Sequence, residues 1–147
     1  MAHEFRTQRR VEFAETDMAG ILHFSNYFRF MEAAEHEFFR SLGLRVHQQS
    51  DSGFQGWARG HAQCTYRRPL CNDDVVELHL LVREKRSKSI KYEVAFLVEA
   101  GDPAELTEVA RGTMTAVCVQ KHGEGLRAVT MPAEVAAAID EAPSSSF

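Results

Sequence analysis

Phe24-Ser-Asn-Tyr-Phe-Arg-Phe-Met-Glu-Ala-Ala-Glu-His-Glu-Phe-Phe-Arg-Ser-Leu42 decides the fold. Positions 24, 27, 28, 31, 34, 35, 38, 39 and 42 form a stripe at helical spacing, and eight of those nine residues are apolar or aromatic. Only Glu35 interrupts it. Ser25 or Asn26 is placed to cap the start, and Gly43 follows the last periodic residue as a stop. The stretch predicts one long helix with one buried face. Phe30 lies off the stripe, which implies cover on a second side.

On either side of this helix the period is two. A strand is expected from Phe5 to Phe13, ahead of the turn-like Glu15-Thr-Asp-Met-Ala-Gly20. After a polar loop from Gln48 to Gly56, Ala58, Gly60, Ala62, Cys64 and Tyr66 share one face of a strand ending at Arg68-Pro69. Val76, Leu78, Leu80 and Val82 mark another strand, and Ile90, Tyr92, Val94, Phe96 and Val98 a third. Ala110, Gly112, Met114, Ala116 and Cys118 mark a fourth. Ala100-Gly-Asp-Pro103 and His122-Gly-Glu-Gly125 are turns, and Pro132 to Ile139 is a short helix. Residues 1–142 form one domain, and 143–147 a frayed tail. Strand, long helix, then a run of strands is an α+β order, one helix laid on an antiparallel sheet of about five strands. Two strands present rows of small residues, which lets the helix approach closely.

Composition narrows the function. The 147 residues are 44% hydrophobic and 26% charged, as in ordinary globular domains. Lys+Arg number 17 against 21 Asp+Glu, a net charge of −4 that favours neither nucleic acid nor an anionic membrane. No apolar run approaches the ~18 residues of a membrane span, and the start lacks a signal-peptide core. A cytoplasmic protein is expected. Cys64, Cys71 and Cys118 form no C-x-x-C pair, and the seven histidines form no metal-ligand pattern, so no metal is expected.

The chemistry concentrates in Glu15 to Tyr27. Asp17 sits in a turn just before a helix N-terminus, whose free N–H groups can polarise a carbonyl oxygen. A carboxylate there can attack that carbonyl or activate water, although such an Asp also serves as a plain cap.

Asp17-x-x-Gly20-x-x-His23-x-x-Asn26-Tyr27, followed by Phe30-x-Glu32-Ala33-Ala34, resembles the motif of the 4-hydroxybenzoyl-CoA thioesterase family, acyl-CoA thioesterases of the hotdog fold. Tyr66-Arg-Arg-Pro69 with Asp74-Val-Val-Glu-Leu78 is similar to that family's strand–turn–strand block, and Arg86 to Val94 to its next hairpin. The resemblance implies a hotdog fold in which the sheet wraps the helix. It implies hydrolysis of an aromatic or aliphatic acyl-CoA, with Asp17 as nucleophile or general base. Gly20 would permit the tight turn, the backbone N–H at Phe24 would hold the thioester oxygen, and His23 would line the site. Tyr27 is expected to pack in the core. Arg86, Lys88 and Ser89 would bind the phosphates of coenzyme A, which belongs to the substrate, so no separate cofactor is expected. Relatives of this kind join sheets into homodimers or homotetramers, with the site between subunits.

Another hotdog class uses a Glu on the long helix. Glu32 falls off the stripe and is expected solvated or paired. Glu35 falls on it and needs a partner or a raised pKa, which keeps it as a further site candidate or an interface residue. Hotdog hydratases, with a D-x-N-P-x-H pattern, are disfavoured because Asp17 and His23 stand six apart with no Asn-Pro between them. A non-catalytic acyl-CoA or acyl-carrier binder is the rival from another class.

Overall fold

The computed structural model describes residues 1–50 and 53–147. Strand β1 (Glu4–Arg10) leads through a 3-10 turn (Phe13–Glu15) to helix α1 (Asn26–Ser41). Strands β2 (Gln48–Ser50), β3 (Gly53–Tyr66), β4 (Val75–Lys85), β5 (Ser89–Ala100), β6 (Glu105–His122) and β7 (Gly125–Ala128) follow, then helix α2 (Ala133–Ala138). All strands pair antiparallel in the order β1-β4-β5-β6-β3-β2, with β7 on β6. The α+β, helix-in-sheet expectation holds, with seven strands rather than about five. None of the described helices is long and apolar enough to cross a membrane.

The inner face of the sheet carries the alternation read from the sequence. Val76, Leu78, Leu80, Val82, Ile90, Tyr92, Val94 and Phe96 are all buried against α1, which presents Tyr27, Met31, Ala34, Phe38 and Phe39. The small-residue row explains the close helix. A Cβ on Gly112 would lie 2.5 Å from Met31 Sδ and 3.0 Å from the Gln63 carbonyl oxygen, so the helix rides where a side chain would stand. Phe30 is fully buried on the second side of α1, where the Arg9 guanidinium lies 4.4 Å from its ring centre.

Several expectations need correction. β1 stops at Arg10, because Val11 N–H and C=O turn to Asp74 and Asp73 instead of a ladder. The expected loop from Gln48 to Gly56 is a β2–β3 hairpin; Asp51 and Ser52 lie outside the described residues. β3 does not keep one face throughout. Its register on β6 shifts between Arg59 and His61, so Trp57 and Arg59 face the helix before the shift, and Ala62, Cys64 and Tyr66 after it. Cys118 is buried as expected, whereas Cys64 is only half-buried.

The tail expected to fray is docked. Arg83 donates to the Ser146 carbonyl at 2.6 Å, and the Phe147 ring lies 4.7 Å from the Arg111 guanidinium and 4.9 Å from the His79 ring. Two arginine faces and an imidazole edge give the aromatic ring a seat on the outer face of the sheet. Alternation in the sequence puts Leu81, Leu97, Val117 and Val119 on that face, where a second dimer would cover them. Leu81 and Val119 are already buried within the chain, while Leu97 and Val117 are partly exposed.

β3 pairs with β6 along one side, but β2 meets its other side only at Gly53–Gln55. From Gly56 to Tyr66 that side carries no strand among the described residues.

Candidate active site

The segment from Thr16 to Leu22 is a tight hairpin. Asp17 N–H donates to the Ile21 carbonyl at 2.8 Å, and Gly20 N–H to the Asp17 carbonyl at 3.0 Å. Gly20 has φ +81° with open space around a would-be Cβ, so conformation and not room selects glycine. Leu22 N–H donates to the Leu70 carbonyl, and Ile21 bridges Cys71, which ties the hairpin to the loop leaving β3.

Asp17 Oδ1 accepts from Ala19 N–H at 2.8 Å and Ile21 N–H at 3.4 Å. Oδ2 has no hydrogen bond among the described residues. The carboxylate is thus oriented by its own turn, with one oxygen left to act.

The start of α1 is not capped by Ser25 or Asn26, the two candidates. Asn26 Nδ2 donates to the Glu15 carbonyl at 2.8 Å, and Ser25 makes no side-chain cap bond. His23 does that work from outside the helix: its Nδ1 accepts from Ser25 N–H at 3.2 Å and lies 2.7 Å from Ser25 Oγ. Accepting at Nδ1 leaves Nε2 to carry the ring proton. Phe24, expected within the helical stripe, precedes the helix and is 63% exposed, its ring stacked on His23 at 4.7 Å. The Phe24 N–H has no partner among the described residues. The Phe24 carbonyl accepts from the Tyr66 hydroxyl at 3.1 Å.

These groups meet around a pocket of about 440 Å³. Asp17, Phe24 and Tyr27 line it from the hairpin and helix, and Tyr66, Arg68 and Pro69 from the end of β3. Tyr27 is buried, packed edge-on against Tyr66 at 4.7 Å, and so serves both core and pocket wall. Burial pushes its phenol up to about 12, and burial pushes the neighbouring Cys64 thiol up to about 11. Neither ionises near neutrality, and among the described residues lining the pocket Asp17 is the one carboxylate.

The remaining candidates lie elsewhere in the chain. His23 is spent on Ser25 and does not line this pocket. Arg86 N–H closes the β4–β5 hairpin on the Ser89 carbonyl, and the Arg86 guanidinium pairs with Glu84. Arg86 and Ser89 line a separate cleft of about 300 Å³ with His61 and Lys91; Lys88 contributes its carbonyl to Cys118 N–H. Ser89 stands opposite Val117 and Tyr66 opposite Ala110, which puts roughly 23 Å of β6 between the two sites. Glu35 is fully buried and bound through both oxygens to Arg59, at 2.6 and 2.9 Å, and Glu32 shares that guanidinium at 3.2 Å. Glu35 is therefore a paired core residue and does not line the Asp17 pocket. Tyr66 and Arg68 were read only as part of a strand–turn block; the signal for them was that Arg-Pro ends β3 beside the Asp17 hairpin.

Comparison with known proteins bears on the family and the fold. A sequence model described as the thioesterase-like superfamily matches residues 11–139. The 4-hydroxybenzoyl-CoA thioesterase of Pseudomonas sp. (strain CBS-3) is 30% identical over 138 residues, spanning 91% of this chain and 96% of that one. The crystal structure of a hypothetical protein from Aquifex aeolicus is similar with a TM-score of 0.79 at 33% identity, covering 92% of this chain and 99% of that one. A structure of gentisyl-coenzyme A thioesterase is similar with a TM-score of 0.74 at 25% identity, covering 90% and 99%.

Proposed function

The chain belongs to the thioesterase-like superfamily and is a thioester hydrolase, and on that premise we propose that it hydrolyses an aromatic or aliphatic acyl-CoA at the Asp17 pocket. One observation carries this reading: Asp17, with one carboxylate oxygen unbonded, and Phe24, with its backbone N–H unbonded among the described residues, line one pocket with Tyr27 and Tyr66. The acyl group packs among Phe24, Tyr27 and Tyr66. The Phe24 N–H, at the positive end of α1, binds the thioester oxygen as it gains charge. Asp17 then acts in one of two ways. As nucleophile, it bonds to the carbonyl carbon, the C–S bond breaks, CoA leaves as thiolate, and water hydrolyses the resulting anhydride. As general base, it takes a proton from the water that attacks the same carbon. His23 acts on this reading by holding the Ser25 end of the loop. Thiol release from a panel of benzoyl-, phenylacetyl- and straight-chain acyl-CoAs tests the proposal; no release from any member would overturn it.

The working unit we propose is a homodimer, or a pair of dimers. The free side of β3 from Gly56 to Tyr66 offers unpaired backbone groups, and a two-fold axis lets one such edge serve two copies. Phe24 and Tyr66, hydrogen-bonded to each other at the end of that edge, are 63% and 43% exposed, and Met18, next to Asp17 of the same pocket, is fully exposed. Such a cluster of exposed large apolar residues marks an interaction surface. Light scattering at assay concentration should give at least twice the chain mass, with activity lost on dilution. A mass near 16.6 kDa with full activity would sink the shared site.

Arg86, Lys88 and Ser89 are assigned to the phosphates of a CoA whose thioester lies at another subunit's Asp17, since their own lies too far along β6. Arg86→Ala with Lys88→Ala should raise KM for acyl-CoA several-fold and leave kcat nearly unchanged. The effect should vanish for acyl-pantetheine, which lacks the nucleotide. Equal effects on both substrates would remove the phosphate role.

A further inference from the structure

We propose that the C-terminal end of α1 carries a binding site for phosphate-bearing anions, built from His36, Arg40, Arg45 and His47 and separate from the Asp17 pocket. His36 and Arg40 stand four residues apart on α1 and so share a face. At Gly43, with φ +72°, the chain reverses; Gly43 N–H donates to the Arg40 carbonyl at 3.0 Å and Leu44 N–H to the Phe39 carbonyl at 2.9 Å. The reversal returns Arg45 and His47 to the same side. Together with Leu44 and Val46 these four line a pocket of about 290 Å³. The His47 ring is fixed by stacking on Phe54 at 5.5 Å and stands at right angles to His36 at 6.3 Å.

The charge of this pocket is one-sided. Every polar side chain lining it is a cation or can become one, and no described carboxylate lines it. Glu35 Oε1 lies 3.8 Å from His36 Nε2, but both Glu35 oxygens are already held by Arg59. The Arg40 and Arg45 side chains have no hydrogen bond or ion pair among the described residues. Arg6, Arg9, Arg59, Arg67, Arg83, Arg86 and Arg111 each face a glutamate; of the arginines that face none among the described residues, Arg40 and Arg45 are the two that share a pocket with two histidines. In a chain with 21 acidic and 17 basic residues, acids are not in short supply. Two neighbouring guanidinium groups left uncompensated repel each other, and a bound anion removes that repulsion. The guanidinium fork matches phosphate oxygens two at a time. The helix puts this pocket roughly 24 Å from its N-terminal end, so hydrolysis within the same chain does not use it.

The test is binding of inorganic phosphate and of adenosine 3′,5′-bisphosphate to the full chain, by calorimetry at low salt. Both should bind, with affinity falling as salt rises. In a chain already carrying Arg86→Ala and Lys88→Ala, so that the β4–β5 cleft does not contribute, Arg40→Gln combined with Arg45→Gln should weaken binding at least tenfold further and leave hydrolysis of acyl-pantetheine unchanged. Competition by CoA, lost when Arg40 and Arg45 are replaced, would identify the ligand as the nucleotide end of the substrate; absence of competition would identify a separate small anion. No phosphate binding to the unmodified chain, or equal affinity with and without the Arg40 and Arg45 replacements, overturns the site. The readout needs no turnover, so it stands or falls independently of the assignment of Asp17.

Discussion

Asp17→Asn should lower kcat for acyl-CoA hydrolysis by at least ~10²-fold, the scale expected when a general base or nucleophile is lost. The melting temperature should hardly move. The amide is nearly isosteric with the carboxylate, and its oxygen still accepts from Ala19 and Ile21 N–H, the two bonds that Oδ1 makes now. The hairpin itself is closed by backbone bonds between Asp17, Gly20 and Ile21 that the substitution leaves alone. What disappears is the negative charge and the basic lone pair of the free oxygen, neither of which the fold uses. The loss should therefore fall on kcat, with KM little changed. Steady-state kinetics beside a thermal melt decide the matter. A variant that keeps more than half its activity would take Asp17 out of the mechanism, and a large drop in melting temperature would recast it as a structural cap.

Asp17, Gly20 and Phe24 were legible because they are local. A turn residue that needs positive φ, a carboxylate nine residues ahead of the first residue of α1 and the free N–H of Phe24 all lie within one short stretch of chain. Tyr66 and Arg68 were not, because only the curl of the sheet carries the end of β3 to Phe24. The sheet was legible in the same uneven way. Val76 to Val82 and Ile90 to Phe96 alternate without interruption on the inner face, so period alone orients them. β3 was misread because one register shift between Arg59 and His61 exchanges its faces, and no residue pattern marks the shift. β2 and β7 are three and four residues long, too short for a period to show. Ser-Ser-Ser has no packing signal, yet Phe147 finds Arg83 and Arg111 on the outer face. Glu35 was the one anomaly on the helical stripe, and it pointed correctly to a missing partner. That partner could not be named, since Arg59 reaches the helix only by virtue of the misread shift.

The Glu35–Arg59 pair yields the second large effect. Arg59→Leu should destabilise the fold by about 3 kcal/mol, the low end of the range for stranding a buried charge, because the Arg59 side chain is itself 26% exposed. At this chain length that is a fall in melting temperature of roughly 10 °C at pH 7. Glu35, with 1% of its side chain exposed, would keep no donor for its two oxygens. In the native chain burial pulls the Arg59 pKa down, but the hydrogen bonds and charge of Glu35 outweigh burial and leave it raised. Burial and the nearby Glu35 charge likewise push the Tyr92 phenol well up, and its hydroxyl has no partner among the described residues. His36 Nε2, 3.8 Å from Oε1 and beyond hydrogen-bond distance, is then the basic group left beside the carboxylate. The variant's pH dependence follows. An unpaired buried carboxyl has a folded pKa above its unfolded value of about 4.3. Its neutral form is the one the fold tolerates, so relative stability is highest below the unfolded pKa and is lost as pH rises through the folded pKa. The gap between variant and native chain should thus be full at pH 7 and narrow toward pH 4. Adding Glu35→Leu should restore most of the loss, since an apolar pair of similar volume carries no desolvation penalty. Thermal melts of both variants between pH 4 and pH 7 test this. Equal melting temperatures at pH 7, or a gap that widens on acidification, would show that Glu35 does not depend on Arg59.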